Sequence, residues 1–350
     1  MPRWRQRCRA GELTRLRRGF AGAASLSTDV SIPRARPPLR SATLKQLVRV
    51  LATHERDLRD CVFETVCVPR YLAQCADDLP RNPAGGLGKF ALTVPMGTTA
   101  IAGDAFTECG GIAQVTLPPT VTAIETWCVN CDSEEEAEEA EEAEEEEIGA
   151  FSGCSSLREI TLPPNLTEIG EHSFSGCTSL TEITLPPTLT TIGHSAFYQC
   201  TALAGITLPS NLAEIREGTF WLCTSLTEIT LPPDLTKIGE YAFYQCTSLR
   251  AITLPTSLTK IGQGAFSECM LLCELPLPPN LAELGVTAFA ECASLTEIAL
   301  PPSLTKIGGH AFFQCTSLVE ITLPPTPITI GWCAFEGCPG TPRQPAVLMP

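Results

Sequence analysis

The stretch from residue 159 to residue 200, EITLPPNLTEIGEHSFSGCTSLTEITLPPTLTTIGHSAFYQC, restates itself almost letter for letter after 23 residues. Self-similarity at a fixed short period builds one elongated stack in which each unit touches only its neighbours, rather than globular domains around separate cores. An isoleucine or leucine opens each unit at Ile169, Ile192, Ile215, Ile238, Ile261, Leu284, Ile307 and Ile330, and Ile101 and Ile124 keep the same step. Counting that residue as position one, the unit reads I-G-x-x-A-F-x-x-C-x-S-L-x-E-I-T-L-P-x-x-L-T-x.

The chemistry of the unit implies its shape. In residues 180–186, Ile183 and Leu185 alternate with Glu182 and Thr184, a period of two that buries the aliphatic pair and exposes the polar one. Pro186 has no amide hydrogen and ends that strand. The Pro-Pro pair starts a turn, and L-T-x-I-G is a second short extended piece on the opposite side. One such rung cannot bury its own apolar face. Stacked rungs can, with Ile, Phe, Cys and Leu forming internal ladders in a body on the order of 50 Å long at a strand spacing of about 4.8 Å.

These motifs resemble the BspA-like, Treponema-type leucine-rich repeat, whose members share L-x-x-I-x-L-P, I-G-x-x-A-F and C-x-x-L. The likeness covers residues 90–338. It implies a right-handed, β-rich leucine-rich-repeat solenoid with a parallel sheet on its concave face. It also implies a binding or surface-adhesion module rather than a catalyst.

The rest of the chain divides around this body. Residues 1–41, rich in Arg with Ser and Ala, read as a basic disordered tail or an organelle transit segment. Residues 42–84 take a helical period, with Leu44, Leu47, Val48 and Leu51 on one face, and read as a short helical N-terminal cap for the first rung. An adaptor helix pair, as in F-box ubiquitin-ligase proteins, is the functional alternative for that head. The solenoid then spans 85–338, carries an acidic low-complexity insert at 132–147, and leaves a C-terminal tail at 339–350. The insert interrupts one rung between position one, Ile124, and positions five and six, Ala150 and Phe151.

The formal net charge of −15 hides an opposition. Residues 1–60 carry fourteen Lys/Arg against five Asp/Glu, and the insert alone holds one Asp and eleven Glu. An acidic body argues against nucleic-acid binding. No apolar stretch approaches the roughly 18 residues of a membrane span, and no apolar stretch follows the basic N-terminus as a secretory signal would. These features favour a cytoplasmic protein. Organelle targeting through the Arg-rich N-terminus and a cell-surface placement are the alternatives.

Nine of the eighteen cysteines, Cys154, Cys177, Cys200, Cys223, Cys246, Cys269, Cys292, Cys315 and Cys338, share position nine, and Cys109 falls in phase two units before Cys154. A flat ladder supplies disulfide geometry poorly, so this cysteine ladder is expected to be structural, with free thiols in small apolar slots. Cys128 and Cys131 form a lone C-x-x-C with no second pair for zinc, read as a damaged rung. No metal site or cofactor is expected.

Catalysis finds no constellation either. The four histidines, His54, His172, His194 and His310, lie far apart, and the outward Glu row is a regular solvated stripe rather than a paired acid and base. The chain is expected not to be an enzyme and to have no catalytic residues. A binding surface should lie where the rungs differ, at positions three, four, seven and eight. Position seven holds Tyr198, Trp221, Tyr244 and Phe313, with Ser267 and Ala290 between, and position four adds Tyr241. Aromatics with a polar handle suit partner contact, here a protein or glycan ligand; the plainer reading is that they shelter the turn between rungs. Neither partner identity nor oligomeric state follows from the residues.

Overall fold

The computed structural model describes residues 90–94, 96–103, 105–127 and 148–343. The basic segment, the helical head, the Cys128/Cys131 pair, the acidic run and the last seven residues lie outside them. The described part is a leucine-rich-repeat solenoid whose rungs stack through parallel strands in register.

Its core is a set of one-dimensional ladders. Phe106, Phe151, Phe174, Phe197, Phe220, Phe243, Phe266, Phe289, Phe312 and Phe335 stack ring on ring, with centroids 5.0–5.5 Å apart and planes within 14° of parallel. The first nine are fully buried. Position-one residues pair Cα to Cα between rungs, as in Ile215↔Ile238, Ile238↔Ile261 and Ile261↔Leu284. Each residue of the consensus core therefore sits on its own copy one rung away.

Beside the rings runs the cysteine ladder. The nine thiols are free and each donates its S–H to the carbonyl of the phenylalanine one rung earlier, as Cys177 Sγ to Phe151 O at 3.3 Å and Cys269 Sγ to Phe243 O at 3.2 Å. The slot is thus apolar in its walls but offers one acceptor. That explains why cysteine fills it rather than alanine. Burial pushes the Cys177 and Cys200 thiols well above the ordinary thiol range and the Cys223 thiol up to about 12. Native alkylation near neutral pH should therefore modify exposed Cys273 and spare the buried ladder thiols Cys177, Cys200, Cys223, Cys246, Cys269 and Cys292, whereas denaturing, non-reducing alkylation should reach all of them. Disulfide-linked peptides from neighbouring rungs in a mass-spectrometric digest would contradict this.

Two expectations need correction. Cys109 and Cys154 are not two rungs apart. Phe106 stacks directly on Phe151, Cys154 Sγ donates to Phe106 O at 3.1 Å, and Val115 pairs with Ile160. The 45-residue gap is one rung plus the excursion, which leaves and returns through an antiparallel ribbon, Thr126–Trp127 against Ile148–Gly149.

The second concerns the sheets. Residues 180–186 were read as a strand, yet no strand forms between Glu168–Ile169 and Thr191–Ile192, and the E-I-T piece pairs only in parts of the stack: one three-stranded group from Phe90–Thr93 to Glu159–Thr161, and two pairs, Gly205–Thr207 with Glu228–Thr230 and Glu297–Ala299 with Glu320–Thr322. Between the pairs only a single bridge, Ala251↔Glu274, remains, and there Pro276 stands where neighbouring rungs have Thr253 and Ala299, removing a ladder donor. The longest sheet is instead built by the second, two-residue piece, in six strands from Glu214–Ile215 to Thr329–Ile330.

Position two of that piece is glycine for a steric reason. A Cβ on Gly239, Gly262, Gly285 or Gly308 would lie 2.4–2.7 Å from main-chain atoms of the rung before. Two further positions turn left-handed in nearly every rung, position four (His172, Tyr241, Thr287, His310) and position eight (Gln199, Leu222, Gln245, Glu268), with φ of 51–62°. Thr287 is β-branched there, while Gly218 and Gly264 occupy the same position with φ of 59° and 57°. Thr287→Gly should stabilise the fold by about 1 kcal/mol, read as a melting temperature roughly 2–4 °C higher. A lower melting temperature would show that the Thr287 side chain does more than strain its turn.

Candidate binding surface

Position seven follows Phe at the start of a left-handed turn, so its side chain leaves the core and lies along the outside of the turn. Where that residue is small it is covered: Ser267 and Ala290 are buried. Where it is large it is half-buried, as at Tyr198, Trp221 and Tyr244. The site is a shelf with one side on the core and one side in water.

The rings of this shelf touch. Trp221 meets Tyr198 edge to face at 5.4 Å and Tyr244 at 5.3 Å, and stacks on Tyr241 at 5.5 Å with planes 30° apart. Tyr241 in turn meets Tyr244 at 5.9 Å. Four rings from three rungs thus form one cluster centred on the indole. Such contacts, each about 0.5–1.5 kcal/mol beyond area burial, hold the rings in place.

Polar tips fix the rim. Gln199 Nε2 donates to the Tyr198 hydroxyl at 3.2 Å, and Gln263 Nε2 to that of Tyr241. The Tyr244 hydroxyl donates to Glu268 Oε1, and Gln245 Nε2 donates to Oε2 of the same carboxylate at 2.8 Å. The bond to Glu268, with a smaller contribution from burial, raises the Tyr244 pKa to about 12. The phenol stays protonated across the physiological range and so remains a donor to Glu268.

Phe313 does not join this cluster. It pairs with His310 at 5.2 Å, and His310 meets exposed Trp332 at 4.7 Å, so the last rungs carry a separate aromatic group. The sequence pattern singled out Phe313 but not Trp332, which stands at position three.

An open groove of about 620 Å³ lies on another face, over the glycine column. Its walls are charged: Glu214, Lys237, Lys260 and Glu283 on one side and Glu217 and Glu240 on the other. Much of that charge is already matched, Lys237 with Glu214 at 3.7 Å and Lys260 with Glu283 at 3.3 Å. The sequence reading passed over this groove, whose signal is a column of Gly beside a mixed column of charge, Glu214, Lys237, Lys260, Glu283 and Lys306, at the last repeat position. Among the described residues, no group of three or more His, Cys, Asp or Glu is placed to hold a metal ion, and no helix is long and apolar enough to cross a membrane.

Comparison with known proteins agrees with the repeat. The family profile described as BspA type Leucine rich repeat region matches in six copies over residues 90–203, 144–272 and 214–341. Among solved structures the chain is similar to a leucine-rich repeat protein of T. pallidum, at 27% identity over 62% of this chain and 86% of that one, with a TM-score of 0.40. A leucine-rich repeat protein of Bacteroides ovatus matches at 24% identity over 71% and 85%, TM-score 0.27. A leucine rich cell surface protein of Faecalibacterium prausnitzii matches at 21% identity over 75% and 89%, TM-score 0.37. No curated protein matches the chain.

Proposed function

Because the chain belongs to the BspA-type leucine-rich-repeat family, we propose that it is a non-enzymatic interaction module whose recognition surface is the aromatic shelf of Tyr198, Trp221, Tyr241 and Tyr244. One observation carries this reading: four rings from three successive rungs meet around Trp221 in the only stretch where position seven is aromatic in consecutive rungs. Elsewhere the outward strand positions are nearly uniform in Glu and Thr and offer a partner little to discriminate. Interface energy concentrates in Trp and Tyr anchors held rigid before binding. A protein partner fits half-buried rings with fixed polar rims, and a glycan is the alternative ligand. Free ladder thiols suit a reducing compartment, so the cytoplasm is the proposed setting, with surface display as the alternative.

Replacing Tyr198, Trp221 and Tyr244 together by serine tests the shelf. Partner capture from a lysate should fall at least tenfold while circular dichroism and melting stay close to wild type. Capture that survives in a folded variant returns the search to the charged groove. If the variant unfolds, the rings belong to the core; Trp221→Tyr, which keeps the shelf filled, then separates packing from recognition.

A further inference from the structure

The glycine column is broken once inside the regular array. Position two is glycine at Gly170, Gly193, Gly239, Gly262, Gly285, Gly308 and Gly331, and arginine at Arg216. At this step the sheet divides. One four-stranded sheet ends at Thr191–Ile192, and the six-stranded sheet begins at Glu214–Ile215. Two main-chain bonds that neighbouring rungs make are missing among the described residues. Gly193 N–H reaches Ile169 O and Gly239 N–H reaches Ile215 O, each at 2.8 Å, yet Arg216 N–H has no such bond to Ile192. Thr236 N–H reaches Ala213 O at 2.9 Å, yet Ala213 N–H has none to Thr190.

We infer that the step from the Ile192 rung to the Ile215 rung is a built-in seam, open along one edge of the solenoid and hinged on the others. A cleft of about 240 Å³ lies there, between Thr190 and Ile192 on one side and Ala213, Glu214 and Arg216 on the other. The cleft is open to solvent, so water can satisfy the released main-chain groups. The remaining edges are closed. Gly205–Thr207 pairs in register with Glu228–Thr230, Phe197 stacks on Phe220 at 5.5 Å, and Phe197 N–H and Gln199 N–H reach Thr219 O and Trp221 O at 2.9 and 2.8 Å.

The cause lies in what Arg216 sits upon. A Cβ in this column meets the main chain of the rung beneath, and here that rung carries His194 at position three. Glu125 also departs from glycine yet keeps its bond to Ile101 O at 2.8 Å, and the residue beneath it at position three is Gly103. Side chains then span the seam where the main chain does not. Arg216 Nη1 lies 3.9 Å from Glu171 Oε1, and His194 Nδ1 lies 4.0 Å from Glu217 Oε2. Both contacts are long and join part-exposed side chains, and the Arg216–Glu171 pair is the one whose charges do not depend on a histidine proton, so they hold the seam weakly and that pair yields to salt.

The seam bears on recognition by position alone. Tyr198 belongs to the rung below it and Trp221 to the rung above, so their edge-to-face contact crosses the hinge. Flexing at Arg216 alters the spacing of that pair. The seam itself does not depend on whether the aromatic shelf binds anything.

Hydrogen exchange on the full chain reads the seam directly. The amides of Ala213 and Arg216 should exchange at least tenfold faster than Thr236 and Gly239, their equivalents one rung later. The difference should widen between about 10 mM and about 1 M salt, as the screening length falls from about 30 to about 3 Å. Arg216→Gly should bring the two rungs to equal protection and raise the melting temperature. Equal protection of the two rungs in the wild-type chain overturns the inference without any variant, as does an Arg216→Gly protein whose amides still exchange like wild type.

Discussion

Phe243→Ala lowers the melting temperature by roughly 10 °C. The ring is fully buried, 5.4 Å from Phe220 and 5.0 Å from Phe266, so truncation leaves a cavity that neither neighbour can fill while its own backbone is held in register. Large-to-small changes of this kind cost about 3–5 kcal/mol, and each kcal/mol moves the midpoint by about 2–4 °C in a domain of this size. In a stack where each unit contacts only its neighbours, the loss falls on two interfaces and should also broaden the transition. Phe335→Ala supplies the comparison. Phe335 stacks on Phe312 at 5.2 Å, is half-buried, and has a described ring on one side only, so its loss should cost about half as much. Thermal denaturation followed by circular dichroism decides it: equal shifts for the two variants would mean that the ladder is not additive rung by rung.

The positions of these rings were legible in the sequence because a 23-residue period leaves a core residue no neighbour but its own copy. Ile, Phe, Cys and Leu are the residues that such a stack buries, and alternation around Ile183 gave the inward face. What the period could not give is any feature that depends on two different positions meeting. Tyr241 at position four and Trp221 at position seven of the preceding unit share a face through the left-handed turns at positions four and eight, and neither turn is announced by glycine in most rungs. The Cys109–Cys154 interval read as two steps of nearly 23 because the excursion happens to be almost one period long. The fragmentation of the E-I-T sheet at Pro276 was visible as a substitution, but its consequence depends on which amide the ladder needs there.

Gly285→Ala is expected to break the long sheet, although it adds a single methyl group. Its Cβ would fall 2.4 Å from the Gly262 carbonyl carbon, 2.5 Å from Gln263 N and 2.6 Å from Gly262 O. All three are main-chain atoms pinned by the bond from Gly285 N–H to Ile261 O at 2.9 Å and by the paired strands Lys260–Ile261 and Glu283–Leu284. No rotamer relieves such a contact, so the rungs must part, as they do naturally at Arg216. Overpacking typically costs about 1–3 kcal/mol, and a loss near the upper end is expected because two ladder bonds are also at stake. Gly110→Ala is the control. Its nearest contact would be Ser155 Oγ at 3.5 Å, and its φ lies outside the left-handed region, so the change should be neutral or stabilise by about 0.4–1 kcal/mol through the unfolded chain. Urea midpoints for the two variants carry the test. A Gly285→Ala protein as stable as the Gly110→Ala protein would mean that the glycine column is a habit of the repeat and not a steric requirement, and the explanation given for the division of the sheet at Arg216 would fall with it.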